Sequence, residues 1–377
     1  MPVKQINGGM LLLARKRRRI TQTELANEAR VPQAAISRIE NGTRDALSME
    51  EIQSIARVLG FPTAFFFEQE PLYRRPISLH GAAFRKKASV SVKDQDAVVA
   101  MANHYVMQLR RMLDAIELEP QFKLLQFEIV GDRNGAGDFA EAVSCASEAA
   151  EKVRQSWQLG SGPIMELAKY VEATGVIVVL SDFGDADIDG MTLRPVGMQP
   201  VILLNNNRPA DRLRFSLAHE YGHVILHPYP SEEMEKEANE FAAELLMPRS
   251  GILPDLRKKL TLPYLGSLKQ KWGAAMSALI YRGKSLGTLT GDEAVSLWKK
   301  MSFYGYRTRE PEDFDIEFSM PRLRADLIEM HMQSLGYSLE ELAEAFKTLP
   351  AEFARMHGLV EPGEPKKPKL RLVVSSN

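Results

Sequence analysis

Residues 212–227 read RLRFSLAHEYGHVILH, within a segment expected to be helical over 211–227. His219 and His223 stand at i and i+4, so both rings leave one helix face and can share a metal ion, while Glu220 between them can reach the attacking water. An HExxH string arises by chance in roughly one chain in a hundred of this length. The plain alternative is a pair of core histidines on an amphipathic helix. It is weakened because His219, Glu220 and His223 would put three ionisable groups beside apolar Leu217 and Val224. His227 lies a further four residues on, but successive i+4 steps drift around the helix, so it is not taken as a ligand.

Two histidines leave tetrahedral zinc short of a protein ligand. The next helical segment, 231–247, offers Glu232, Glu233, Glu235, Glu237, Glu240 and Glu244 before it stops at Pro248. Glu235 with Asn239 has the i, i+4 spacing of the ExxxD element of Glu-zincins, in which the Glu binds metal and the second residue holds a ligand histidine. Glu235 is therefore the expected ligand and Asn239 its supporting residue, with Glu237 the rival ligand if the helix phase differs. HEYGH with EMEKEANEFAAELLMP, preceded by DIDGMTL and DRLRFSLAHE, resembles the ImmA/IrrE (DUF955) metallopeptidases over about residues 150–290. The resemblance implies a minimal zincin fold, Zn2+ on His219, His223 and Glu235, Glu220 as catalytic base, and limited proteolysis of Xre-type repressors. Asn239 in place of an acidic residue departs from larger Glu-zincins, and so does the short interval between His223 and Glu235, which HPYP can turn. Tyr229, Tyr281 and Arg282 are candidate donors to the oxyanion, with no basis for choosing among them.

The amino end reads differently. Residues 1–44 carry nine Lys/Arg against three acids, a net of +6 in a chain whose net charge is −1. A basic end on an acidic remainder points to nucleic acid there. In ITQTELANEARVPQAAISRIENG, Thr21 and Glu24 form a capping box, Arg30-Val31 a turn, and Pro32 the start of a second helix ending at Gly42. Small and branched apolar residues let the two helices cross closely. Gln22, Gln33, Ala34, Ser37 and Arg38 remain as the DNA-binding face, with Gln33 suited to an adenine edge. The segment resembles Xre, or phage-repressor-like, regulators over residues 9 to about 68, which implies a buried Arg15–Glu40 pair and dimers on near-palindromic double-stranded operators. The run RKRRR, residues 15–19, exceeds what such a helix requires and is expected to add salt-dependent phosphate contacts.

At 45% hydrophobic and 26% charged residues the composition is globular, which excludes whole-chain disorder or coiled coil. Apolar runs stop at about five or six residues, too short for a membrane span or a secretory signal. The single cysteine, Cys145, allows no intrachain disulfide, and a cytoplasmic location is expected. The expected fold class is mainly α with a small β-sheet (α+β): an all-α helix-turn-helix domain (1–69), a connector with a helix (70–135), a minimal zincin-like metallopeptidase domain (136–290), a helical C-terminal extension (291–360) and a disordered tail (361–377). Strands are expected at 175–180, 190–194 and 200–205, and a packed helix over 94–118. GDRNGAG at 131–137 is a loop whose spacing does not match a phosphate-binding loop. Trp272, Leu279 and Leu286, spaced by seven, are expected in the core. Together the two ends suggest a DNA-binding transcriptional regulator, a repressor, whose zinc endopeptidase cleaves itself or a partner Xre-type repressor in a stress or mobile-element response. The other reading keeps zinc as structure or sensor in a homodimeric repressor that cuts nothing. The scissile segment on the first reading is the connector 70–93 or a partner's equivalent.

Overall fold

Thr21 sets the geometry of the amino-terminal domain. In the structure, a computed structural model that describes residues 6–43, 47–69, 72, 78–80, 90–130 and 140–359, the Thr21 hydroxyl accepts from the Glu24 amide at 3.1 Å and the Glu24 carboxylate accepts from the Thr21 amide at 2.6 Å. This capping box opens α2 (Gln22–Ala29), which ends at Arg30 in the left-handed region at φ 57°. The turn leads through Pro32 into α3 (Gln33–Glu40). α1 (Gly8–Arg17) and α4 (Met49–Leu59) close round this pair. Leu11, Leu25, Ile36 and Ile55 share one core with Phe65 and Phe66 of the short 3-10 turn Thr63–Phe67. Burying each such phenylalanine contributes about 1.5–3 kcal/mol. Arg15 grips Glu40 through two bonds of 2.6 Å each, the ion pair that the resemblance implied.

The apolar runs at 175–180 and 200–205 lack polar alternation because both faces of their sheet are covered. β1 (Ser78–His80), β4 (Ile177–Ser181), β5 (Gly190–Leu193) and β6 (Val201–Asn205) stand in the order β1-β5-β6-β4. β4 and β6 run parallel, whereas β5 runs antiparallel to both β6 and β1. Alternate residues serve opposite cores. Val178, Ile202 and Leu204 meet the helices α6 (Ala146–Ser156), α8 (Ala210–Leu226) and α9 (Met234–Leu246). Ile177, Val179, Met191, Leu193, Val201 and Leu203 instead meet α5 (Val92–Leu113) and the C-terminal helices α14 (Leu323–Gln333), α15 (Leu339–Ala345) and α16 (Pro350–His357). Three expected strands are present. β1 and a small parallel pair, β2 (Phe127–Ile129) with β3 (Glu141–Val143), were not expected, since three residues are too few to show a period.

Between α6 and β4 lies α7 (Leu167–Glu172). After α9 come α10 (Arg249–Leu256), α11 (Leu262–Trp272), α12 (Met276–Ser285) and α13 (Gly291–Phe303). Trp272 and Leu279 are buried there and Leu286 packs against them, as expected of core positions. Ala294, Leu297 and Met301 of α13 enter the same core, so the start of the C-terminal extension is packed against α11 and α12 and shares the core of the metal-site helices. The loop 131–137 and the tail 361–377 lie outside the described residues, as does most of the stretch 70–93. Among the described residues no helix is long and apolar enough to cross a membrane.

The basic run corrects the sequence reading. It was expected to hold DNA phosphates, yet its side chains are taken up inside the molecule. Lys16 pairs with Asp96 at 2.8 Å and Arg19 with Asp94 at 3.2 Å, both acids on α5. Arg17 donates to Glu352 on α16 at 2.6 Å and to the His104 ring on α5 at 2.5 Å. Arg18 donates to the Leu59 carbonyl at 2.6 Å and lies 3.7 Å from Glu352. The cause is the position of α1, whose last turn is wedged between the helix-turn-helix core and α5. That helix is a shared wall: Ala100 and Met107 belong to the amino-terminal core, Val98 and Tyr105 to the sheet core. Burial holds the His104 ring well below its usual pKa, so it stays neutral and can accept from Arg17.

Candidate metal centre and DNA-reading face

α8 carries His219, Glu220 and His223, all fully buried. α9 crosses it closely at Gly222, where an added Cβ would lie 3.0 Å from the Phe241 ring and 3.4 Å from the Ala238 backbone. The crossing brings Glu235, in the first turn of α9, to 3.5 Å from His219 Nε2 and 3.4 Å from His223 Nε2. One ligand atom from each of the three lies within 4.8 Å of the others. The two imidazole Nε2 atoms face one another at 3.0 Å.

Behind His223 a chain of contacts settles its tautomer. His223 Nδ1 lies 3.0 Å from His227 Nδ1, and His227 Nε2 lies 2.9 Å from Glu237 Oε2. Burial first, with the neighbouring His223 adding to it, pushes the His227 pKa down to about 3, so this ring is neutral and carries one proton. With that proton donated to Glu237, His227 Nδ1 must accept from His223, which leaves the His223 Nε2 lone pair aimed at His219 and Glu235. A nitrogen lone pair, a second imidazole nitrogen and a carboxylate converging in a buried space form a donor set that fits a divalent cation such as zinc.

Two expectations change here. Asn239, expected to support a ligand histidine, is exposed, and its amide donates at 2.6 Å to the Glu235 carbonyl of its own helix. One turn of helix carries it past the histidines. The support comes from His227 and Glu237, the residues first weighed as a third histidine ligand and a rival carboxylate ligand. A His227→Leu change is expected to weaken zinc binding about 10–100-fold. Asn239→Ala is expected to leave it within about twofold, read by competitive chelator titration.

Glu220 has a partner that the sequence reading missed. Thr192 of β5 donates to Glu220 Oε2 at 2.7 Å, which fixes the carboxylate. Alternation along β5 was the available signal: Met191 and Leu193 face the far core, so Gly190 and Thr192 must face α8. Gly190 is needed for the same approach, because a Cβ there would sit 3.1 Å from Glu220 Cγ. Of the three candidate oxyanion donors, burial sets Arg282 apart from the two exposed tyrosines. Arg282 is buried and spent on Glu244 and the Met247 carbonyl. Tyr281 packs on Trp298 with ring centroids 4.9 Å apart. Tyr229 is 62% exposed in the link from α8 to α9, beside the metal-site helices.

On the amino-terminal domain Gln33, Ala34 and Arg38 are exposed, and Gln22 and Ser37 half-buried. Gln22 donates to Glu40 at 2.8 Å and accepts from Gln33 at 2.9 Å. The chain Arg15–Glu40–Gln22–Gln33 therefore holds the Gln33 amide in place. One Gln33 N–H is used, which leaves its second N–H and its carbonyl oxygen as a donor–acceptor pair on the exposed face.

These features define a DNA-binding type of helix-turn-helix domain joined in one chain to a metallopeptidase-type domain. The matching family models place both: residues 11–66 match the helix-turn-helix family, and residues 171–284 match the IrrE N-terminal-like domain, Peptidase_M78. The chain is thus an Xre-like helix-turn-helix fused to an ImmA/IrrE-like domain. A search of curated proteins gave no match.

Proposed function

We propose that this chain is a transcriptional repressor that binds a double-stranded operator as a homodimer and carries a zinc-dependent endopeptidase directed at itself or at a partner Xre-type repressor. The observation that carries the reading is the convergence of His219, His223 and Glu235 beside Glu220, in the same chain as an exposed recognition helix. Zinc held there would supply a Lewis acid for the peptide carbonyl and acidify the attacking water. The chain's own residues do the rest. Glu220, steadied by Thr192, takes the proton from the water and hands it to the leaving amine as the C–N bond breaks. Tyr229, in the link between the two helices of the site, is the candidate donor to the oxyanion. Gln33 reads a base edge, while Arg38, Ser37 and Gln22 serve nearby edges and phosphates.

The test is zinc content and fragment mass measured together, with and without operator duplex. About one zinc per chain and fragments that vanish with chelator would support a peptidase. About one zinc with no fragment of this chain or of a co-expressed Xre-type repressor would favour a metal-stabilised repressor without proteolysis. For the DNA half, Gln33→Ala with Arg38→Ala is expected to weaken specific operator binding by about tenfold or more, since one good bidentate base pair is worth about 1–3 kcal/mol. Unchanged operator affinity by fluorescence anisotropy would remove α3 as the recognition helix.

A further inference from the structure

β5 has one edge on β6, and its other edge is taken by a piece of the connector. Ser78, Leu79 and His80 pair antiparallel with Thr192, Met191 and Gly190. These are no ordinary edge residues: Thr192 holds the Glu220 carboxylate, and the Gly190 backbone is in near contact with Glu220. β1 also lies against α8, the helix of HEYGH. A strand added at this edge runs about 4.8 Å from β5, along the rim of the metal site.

Both ends of the connector are fixed. At one end the Glu68 carbonyl accepts from Asn7 at 2.6 Å and the Glu68 carboxylate pairs with Arg111. At the other, Ser91 caps α5. A segment tethered on both sides meets β5 at an effective concentration on the order of millimolar, which a free peptide of ordinary affinity does not match.

We propose that the chain's own Ser78–His80 is the resident occupant of the β5 edge on which an extended peptide would dock at this metal site, closing the site to peptides from outside. This rests on the metallopeptidase reading for its consequence but not for its test. Main-chain pairing supplies the affinity of strand addition, so the occupant can be displaced by removing its N–H groups.

The experiment uses the full-length, zinc-loaded chain carrying Glu220→Gln, so that binding is read without cleavage. Three connectors are compared: native, Ser78→Pro/Leu79→Pro/His80→Pro, and Ser78→Gly/Leu79→Gly/His80→Gly. The probe is a labelled synthetic peptide of residues 74–85, RRPISLHGAAFR. Hydrogen exchange should rise at 190–193 in the proline variant while 201–205 stays protected. The proline variant is expected to bind the peptide at least tenfold more tightly than the native chain, with the glycine variant between them. Equal affinity in all three, or no binding by the proline variant, would overturn the proposal. If the prolines also expose 201–205, the glycine variant decides by the same criterion. A wild-type chain that never cleaves, together with the expected binding order, would sink the peptidase reading and leave the docking edge standing.

Discussion

Glu220→Gln is expected to keep about one zinc per chain and unchanged operator affinity while cleavage falls by about 10²–10⁴-fold, the contribution of a positioned general base. The amide is nearly isosteric with the carboxylate, so the packing of Glu220 against Gly190 survives. Thr192 can still donate to the amide oxygen. Proton transfer is what is lost, because an amide neither takes a proton from water nor returns one to the leaving amine. Fragment formation followed by intact mass, alongside metal analysis, checks both halves. Loss of zinc in this variant would mean that Glu220 is a ligand. Undiminished cleavage would mean that another group is the base.

The pair Glu220→Gln and His219→Ala separates roles that the sequence motif binds together. His219→Ala removes one of three donors within 4.8 Å and is expected to lose zinc as well as cleavage. The helix-turn-helix core, built on Leu25, Ile36 and Phe65, is separate from the core that holds the metal-site helices, so operator binding should persist in both variants.

How much of this was legible in the sequence follows from the range of each interaction. HEYGH and the Thr21–Glu24 capping box were readable because their parts lie within one or two helical turns. The strands of β4 and β6 were readable as apolar runs, and the approach of Glu235 to the two histidines through a known spacing. Thr192 was hidden, since its contact with Glu220 depends on which face of a four-residue strand meets α8. The support of His223 was misassigned to Asn239 because an i, i+4 rule within α9 says nothing of what the α8–α9 link brings round, here His227 and Glu237. The run RKRRR misled for a related reason. Net charge along a sequence favours a polyanion, but the acids that neutralise it, Asp94, Asp96 and Glu352, lie about 75 to 335 residues away.

That last contact yields the second large effect. Arg17 is deeply buried, and burial pushes its pKa down to about 9. Its carboxylate partner is Glu352, only 7% exposed and also in contact with Arg355. Glu352→Ala leaves the Arg17 guanidinium buried with the neutral His104 ring as its remaining side-chain acceptor, an imbalance that costs about 3–5 kcal/mol. The way to avoid that cost is for α1 to part from α5 and α16, taking the helix-turn-helix domain with it. Under the proposed function, this bears on what a cut in the connector would do: it would break one covalent link, yet the contacts of residues 16–19 and the Arg111–Glu68 pair would still hold the domain. A chain nicked at a protease site engineered into the connector is therefore expected to run as one species in gel filtration at low salt. The Glu352→Ala chain, nicked in the same way, is expected to separate into two. If the native nicked chain separates at low salt as readily as the variant, the clamp does not hold the domains. Cutting the connector would then be enough to release the DNA reader.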